Sequence, residues 1–202
     1  MSKPLLAIAA AAARVLPAPL KEAIYKVGPL ARFIRRGLNR AAPTGLTEVQ
    51  VAGGGLAGYT LRLDLQVDKD YWLGTYEPFL QAALPALVPA GAVAYDVGAN
   101  IGYISFLLSK AAGRQGRVFA FEALPANLEQ LRRNVELNGL QARITVVPLA
   151  VTSAPGPVRF LVHASGGMGK ALGSAGRQDR YQAEIDVEGT SLDDFVYTRG
   201  NP

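Results

Sequence analysis

Apolar and polar positions alternate along this chain in distinct periods, and those periods predict its elements. The clearest lies mid-chain. Val93–Val97 is a short apolar run interrupted by one acid, Asp96, and it runs into a turn punctuated by Gly98 and Gly102. Beyond the turn Ile104, Leu107, Leu108 and Ala111 recur at helical spacing, which predicts a helix with those four as its apolar stripe. Residues 117–122 (RVFAFE) form a second apolar strand that again ends on an acid, Glu122. Pro125 suits the first position of a second helix, with Leu128, Leu131 and Val135 inward and Glu129/Arg133 and Arg132/Glu136 paired outside. Asn138-Gly139 stops it. Residues 143–151 (RITVVPLAV) predict a third strand, apolar almost throughout as in a parallel sheet covered on both faces, with Pro148 near its end. Strand, helix, strand, helix, strand is the pattern of an α/β domain.

The flanks are less regular. Residues 1–13 are alanine-rich and apolar, but Arg14 cuts the run well short of the ~20 residues that span a bilayer. Residues 21–40 set Ile24, Val27, Phe33, Ile34 and Leu38 among basic side chains, with Gly28-Pro29 breaking the pattern midway. This predicts a basic helical arm packed on the domain or on a second copy of the chain. Weak contact with an anionic membrane surface is the alternative. Residues 48–67 predict two strands around the turn Gly53–Gly54–Gly55. Residues 71–87 begin aromatic and turn helical at Pro78, with Phe79, Ala82, Ala83 and Leu87 as the buried face. After the third strand, residues 157–163 read as an extra strand and residues 164–178 as a glycine-rich mobile loop. The organisation expected is an N-terminal arm, 1–47, and one α/β domain, 48–202.

Composition narrows the chemistry. With no cysteine and one histidine, His163, thiolate catalysis, disulfides and multi-histidine metal sites are excluded. A lone histidine at a strand end reads as structural or solvated before it reads as a general base, and no other residue stands out as one. The formal net charge is +5, which suggests a polyanion until it is located. Eight of the 21 basic residues lie in positions 1–40, against one acid, Glu22, leaving 13 basic and 15 acidic residues in the remainder. The α/β body is slightly acidic, so nucleic acid is not the expected substrate. With neither a signal peptide nor a spanning segment in the pattern, the expected location is the cytoplasm.

The turn itself decides between cofactors. A dinucleotide fingerprint needs glycine at the first, third and sixth positions, and here the third is Asn100 and the sixth Tyr103. An asparagine side chain would obstruct the pyrophosphate, which argues against a nicotinamide cofactor and an oxidoreductase. Gly169-Lys170 is no phosphate loop either, because Ala164 and Ala171 stand where that motif needs glycine and Ser/Thr. S-adenosylmethionine has no pyrophosphate. It needs close backbone approach, offered by Gly98 and Gly102, and polar contacts, offered by Asp96 and Asn100. Glu122 lies 24 residues beyond Gly98, near the ~20-residue offset at which an acid reaches a ribose. The plainer alternative is that Asp96 and Glu122 only cap helices.

These residues carry a resemblance. DVGANIGYISFLL (96–108), FAFEALPANLEQLRRNVELNG (119–139) and GTYEPFLQAAL (74–84) resemble the FkbM-type S-adenosylmethionine-dependent methyltransferases, from about residue 48 onward. The resemblance implies a Rossmann-like class I methyltransferase fold and O-methylation of a small-molecule or sugar hydroxyl. It implies that Asp96, Gly98, Asn100 and Gly102 line the methionine end of the cofactor and that Glu122 holds its ribose. It also places Glu77 over the cofactor and Leu149 and Ala150 beside the adenine. The later stretch IDVEG (185–189) is like a family motif, but Glu184 stands in place of its lysine and Thr190-Ser191 depart from it. It reads as a look-alike, since SLDDFV (191–196) resembles the segment that precedes the motif's strand. The sheet would then hold only its first three parallel strands, leaving an apolar edge open. Such a chain would be a fragment of a longer enzyme, or would need something to cover that edge; the alternative function is a module that binds cofactor without completing catalysis.

Overall fold

The computed structural model describes residues 3–16, 27–163, 169–172 and 181–198. The chain divides into two compact units, Met1–Pro85 and Ala86–Pro202. The first unit holds helices α1 (Lys3–Val15) and α2 (Gly28–Ala41), the antiparallel strands β1 (Leu46–Gln50) and β2 (Thr60–Asp64), and the short helix α3 (Lys69–Leu73). Helix α4 (Pro78–Leu87) runs across the boundary. The β1–β2 pair belongs with α1 and α3 because its connection is bonded to both. Ala52 N–H donates to Trp72 O at 2.7 Å, and Arg14 Nε donates to Ala52 O at 3.3 Å. Val51, Ala52, Leu56, Leu61 and Leu63 are buried there.

Gly28-Pro29 begins α2, where a proline in the first turn forgoes an N–H that would be unpaired anyway; residues 21–26 of the expected arm lie outside the described residues. Two expectations change in this unit. The β1–β2 connection is longer than a tight glycine turn and contains one 3₁₀ turn, Gly54–Leu56. In α4, Phe79 and Leu87 are 81% and 69% exposed while Leu84 is buried. Gln81 sets that phase: its Oε1 accepts Gly55 N–H at 2.7 Å and its Nε2 donates to Gly74 O at 3.2 Å. Gln81 and Leu84 therefore face inward together, and the stripe through Phe79 and Leu87 faces out.

The second unit contains β3 (Val93–Val97), α5 (Tyr103–Ala112), β4 (Arg117–Phe121), α6 (Pro125–Leu137) and β5 (Ile144–Val147). The three strands are parallel in the order β3-β4-β5, the Rossmann-like arrangement expected. Tyr95, Phe119, Phe121 and Val147 share one face of this sheet. Asp96 and Ala120, at alternate positions, point to the other. Among the described residues β3 pairs on one side only, and Val93 and Val97 are 42% and 53% exposed.

Helix α5 lies where predicted but is rotated. Tyr103, Phe106, Leu107 and Ala112 are buried together with Ser105 and Ser109, while Ile104, Leu108 and Ala111 are half-buried. Hydrophobic periodicity counts serine as polar, whereas here the Ser105 hydroxyl has a partner in half-buried Asp96.

The predicted third strand splits at Pro148, which has no N–H to continue the ladder. Leu149 N–H turns back to Val147 O at 2.9 Å. The chain then enters a second sheet of β6 (Ala150–Val151), β7 (Gly156–His163), β8 (Gly169–Ala171) and β9 (Tyr181–Thr190), in the order β6-β9-β7-β8. Strand β8 occupies part of the expected loop 164–178; residues 164–168 and 173–178 lie outside the described residues. The IDVEG stretch lies on β9, antiparallel to β7, and does not pair with β3. Glu184 and Asp186 face Arg159 across the ladder at 3.8 and 3.6 Å, exposed pairs of little stabilising value.

After β9, Ser191 Oγ accepts Asp194 N–H at 3.0 Å, and Asp194 Oδ2 accepts the Thr190 hydroxyl at 3.1 Å. This side-chain cap starts the helical turn Asp194–Thr198. Phe195, buried in that turn, covers the aromatic face of the parallel sheet, with ring centroids 4.9 Å from Phe121, 5.4 Å from Phe119 and 6.1 Å from Tyr95.

Candidate cofactor site

The turn between β3 and α5 is built from three left-handed residues, Gly98 (φ 79°), Asn100 (φ 51°) and Gly102 (φ 95°). Asparagine is among the few side chains that tolerate this region. Gly98 and Ala99 N–H both donate to Phe121 O, at 3.0 and 2.8 Å, which lays the turn against the end of β4. The next amide, Asn100 N–H, donates to Glu122 Oε2 at 2.8 Å. The other oxygen of Glu122 accepts Ala123 and Leu124 N–H at 2.9 and 2.8 Å. Glu122 is only 7% exposed, and three amide donors offset the cost of burying its charge.

Asp96 sits one strand away. Its Oδ2 accepts the hydroxyl of fully buried Ser105 at 2.6 Å. Burial raises its pKa above the ordinary 3.8, hydrogen bonds from Ser105 oppose the rise, and the Glu122 charge adds to it. Both acids therefore brace helix starts, Asp96 at α5 and Glu122 before α6, as the plainer reading supposed. Bracing does not use up Glu122: a carboxylate has about four acceptor positions, and three amides fill three of them.

The two glycines differ in kind. A Cβ on Gly98 would meet nothing within 4 Å, so bare backbone faces open space. A Cβ on Gly102 would lie 2.5 Å from Leu131 Cδ1, so this glycine lets α5 begin against α6. Asn134, fully buried on α6, completes the support by donating from Nδ2 to Ile101 O at 3.0 Å.

The structure thus gathers Asp96, Gly98, Asn100, Gly102 and Glu122 around one turn. The remaining candidates lie on other elements. Glu77 lies in the first unit, exposed at φ 46°, its carbonyl accepting Gln81 N–H at 3.0 Å at the start of α4. Ala150 is buried in β6 opposite Gly189, and Leu149 packs on the Phe119–Phe121–Val147–Phe195 cluster, so both are engaged in packing. His163 is on the antiparallel sheet, edge-on to Tyr181 with centroids 6.4 Å apart. Ser105 and Asn134 escaped the sequence reading because polar residues in helices read as solvent-facing. Asn134 does share a face with Leu131 and Val135, which is the signal that could have found it.

A parallel sheet whose first strand breaks through a glycine turn into a helix, with an acid closing each of two strands, defines a nucleotide-cofactor site of the Rossmann-like class. The sequence profile described as the methyltransferase FkbM domain matches residues 96–202. The chain belongs to this family of methyltransferases, whose methyl donor is S-adenosylmethionine. No curated protein matches it. Among solved structures it is similar to Pyrococcus horikoshii TYW2 in complex with MeSAdo, at 22% identity and a TM-score of 0.40 over 56% of this chain and 39% of that one. It is also similar to the M. jannaschii tRNA m1G37 methyltransferase, at 22% identity and a TM-score of 0.36 over 56% and 35%. A third is the Pyrococcus abyssi tRNA (uracil-54, C5)-methyltransferase in complex with S-adenosyl-L-homocysteine, at 17% identity and 0.35 over 52% and 24%. The matched part of this chain corresponds to well under half of each of those proteins. Among the described residues no helix is long and apolar enough to cross a membrane.

Proposed function

We propose that this chain binds S-adenosylmethionine at the Gly98–Gly102 turn and serves O-methylation of a small-molecule or sugar hydroxyl in the cytoplasm. The cofactor supplies a methyl group activated on a sulfonium sulfur. The chain's own residues hold and orient it. Gly98 offers backbone without a side chain, Asp96 and Asn100 offer polar contacts to the amino-acid end, and the remaining acceptor position of Glu122 suits a ribose hydroxyl. Their rigidity favours a near-attack arrangement, the main lever available to a methyl transfer.

The observation that carries this reading is the bond from Asn100 N–H to Glu122 Oε2, which fixes the two halves of the site to each other. The slightly acidic charge of residues 41–202, 13 basic against 15 acidic, supports an uncharged or glycan acceptor over nucleic acid. Calorimetric titration with S-adenosylhomocysteine tests the reading. Micromolar binding to the wild type, weakened by about 1–3 kcal/mol in Glu122→Ala, is the expected result. No binding by a folded wild type overturns it.

A further inference from the structure

The N-terminal unit carries a surface that the cofactor chemistry leaves unused. Helix α1 exposes Leu5, Ile8 and Val15 at 42%, 66% and 80%. Ile8 and Val15 are two helical turns apart and lie on one face. Opposite them Ala13 is buried, and Leu5 rests on α2 beside Gly37. On α2, Leu38 is buried while Phe33 is 76% exposed. Phe33, Arg36 and Arg40 stand at i, i+3 and i+7, so an outward phenyl ring is followed along its face by two exposed guanidinium groups. Arg32, beside Phe33, is exposed as well.

We infer that this α1–α2 face docks on an anionic lipid bilayer and lies in its interface. Charge complementarity selects the occupant. Residues 1–40 carry eight basic side chains and one acid, whereas the rest of the chain is slightly acidic. Lipid phosphates satisfy the guanidinium groups, and the acyl boundary takes up Phe33, Ile8 and Val15. Nucleic acid would use the arginines but leave the aliphatic side chains of α1 in water. A second copy meeting the same α2 face would set arginine against arginine.

The inference is independent of the cofactor site, and full-length protein tests it by co-sedimentation with two kinds of vesicle. One is phosphatidylcholine alone; the other is phosphatidylcholine and phosphatidylglycerol in equal parts. Binding is expected on the anionic vesicles alone and is expected to fall as salt is raised. Removing two charges in Arg36→Ala/Arg40→Ala should weaken it about 25-fold, at about fivefold per charge near the surface. Phe33→Ser should weaken it about tenfold by removing the inserted ring. These side chains are exposed, so circular dichroism and Tm should stay unchanged in both variants. No partition by folded wild type, or equal partition on both vesicles, overturns the inference. So does binding that depends on the arginines, ignores Phe33→Ser and is competed away by single-stranded RNA, which would assign the face to a polyanion. A lipid-free dimer that Phe33→Ser dissolves would assign it to a second copy, with the same consequence.

Discussion

Burial disfavours the charged form of Asp96, and this makes the site legible in stability as well as in binding. Its pKa is raised in the folded chain, chiefly by desolvation. The native state therefore binds a proton more tightly than the unfolded state, and stability falls as pH rises from about the ordinary 3.8 through the folded value. Asp96→Asn removes this titration. Relative to wild type, the variant should gain stability as pH climbs through that window and show no further relative change above it, measured by urea unfolding at a series of pH values. The same variant should bind S-adenosylhomocysteine more weakly at neutral pH. At this scale the sequence announces acids well, because a carboxylate at the end of an apolar strand stands out. It hides Ser105 and Asn134, whose partners lie 9 and 33 residues away.

Among the elements, α6 supports the Gly98–Gly102 turn through Asn134 and Leu131. Asn134→Leu keeps the side chain's bulk but leaves Ile101 O without this donor. An expected loss of about 1–3 kcal/mol in stability follows. Asn134→Asp adds a readout that packing alone would not give. At neutral pH its carboxylate opposes the Ile101 carbonyl and cofactor affinity should drop, whereas acid protonates it and restores a donor, so affinity should partly return. Existence and type of the strands and helices in the β3–β5 region follow from periodicity, but phase does not. Gln81 turns α4 and Ser105 turns α5 because each satisfies a group that the hydrophobic count ignores. Pro148 was visible in the sequence. Its effect, passing the chain from one sheet to another, was not, because that depends on β9 being there to receive Val151.

Across the whole molecule, the parallel sheet depends on a distant segment for its second cover. Phe195 touches Tyr95, Phe119 and Phe121 at once, so Phe195→Ala should cost about 3–5 kcal/mol, read as a lowered urea midpoint. The order of the parallel strands was legible because apolar runs, helices and turns agreed. The antiparallel sheet was not, because its strands pair across stretches whose polarity resembles a loop.

That distant cover also has a meaning in time. Phe195 follows Val147 by 48 residues, and ribosomes add about 5–20 residues each second. For about 2–10 s of every synthesis the three parallel strands exist while the side chain that seals them does not. A nascent chain in that interval presents Tyr95, Phe119 and Phe121 to whatever is nearby, which makes it a natural client for chaperones while it is still being made.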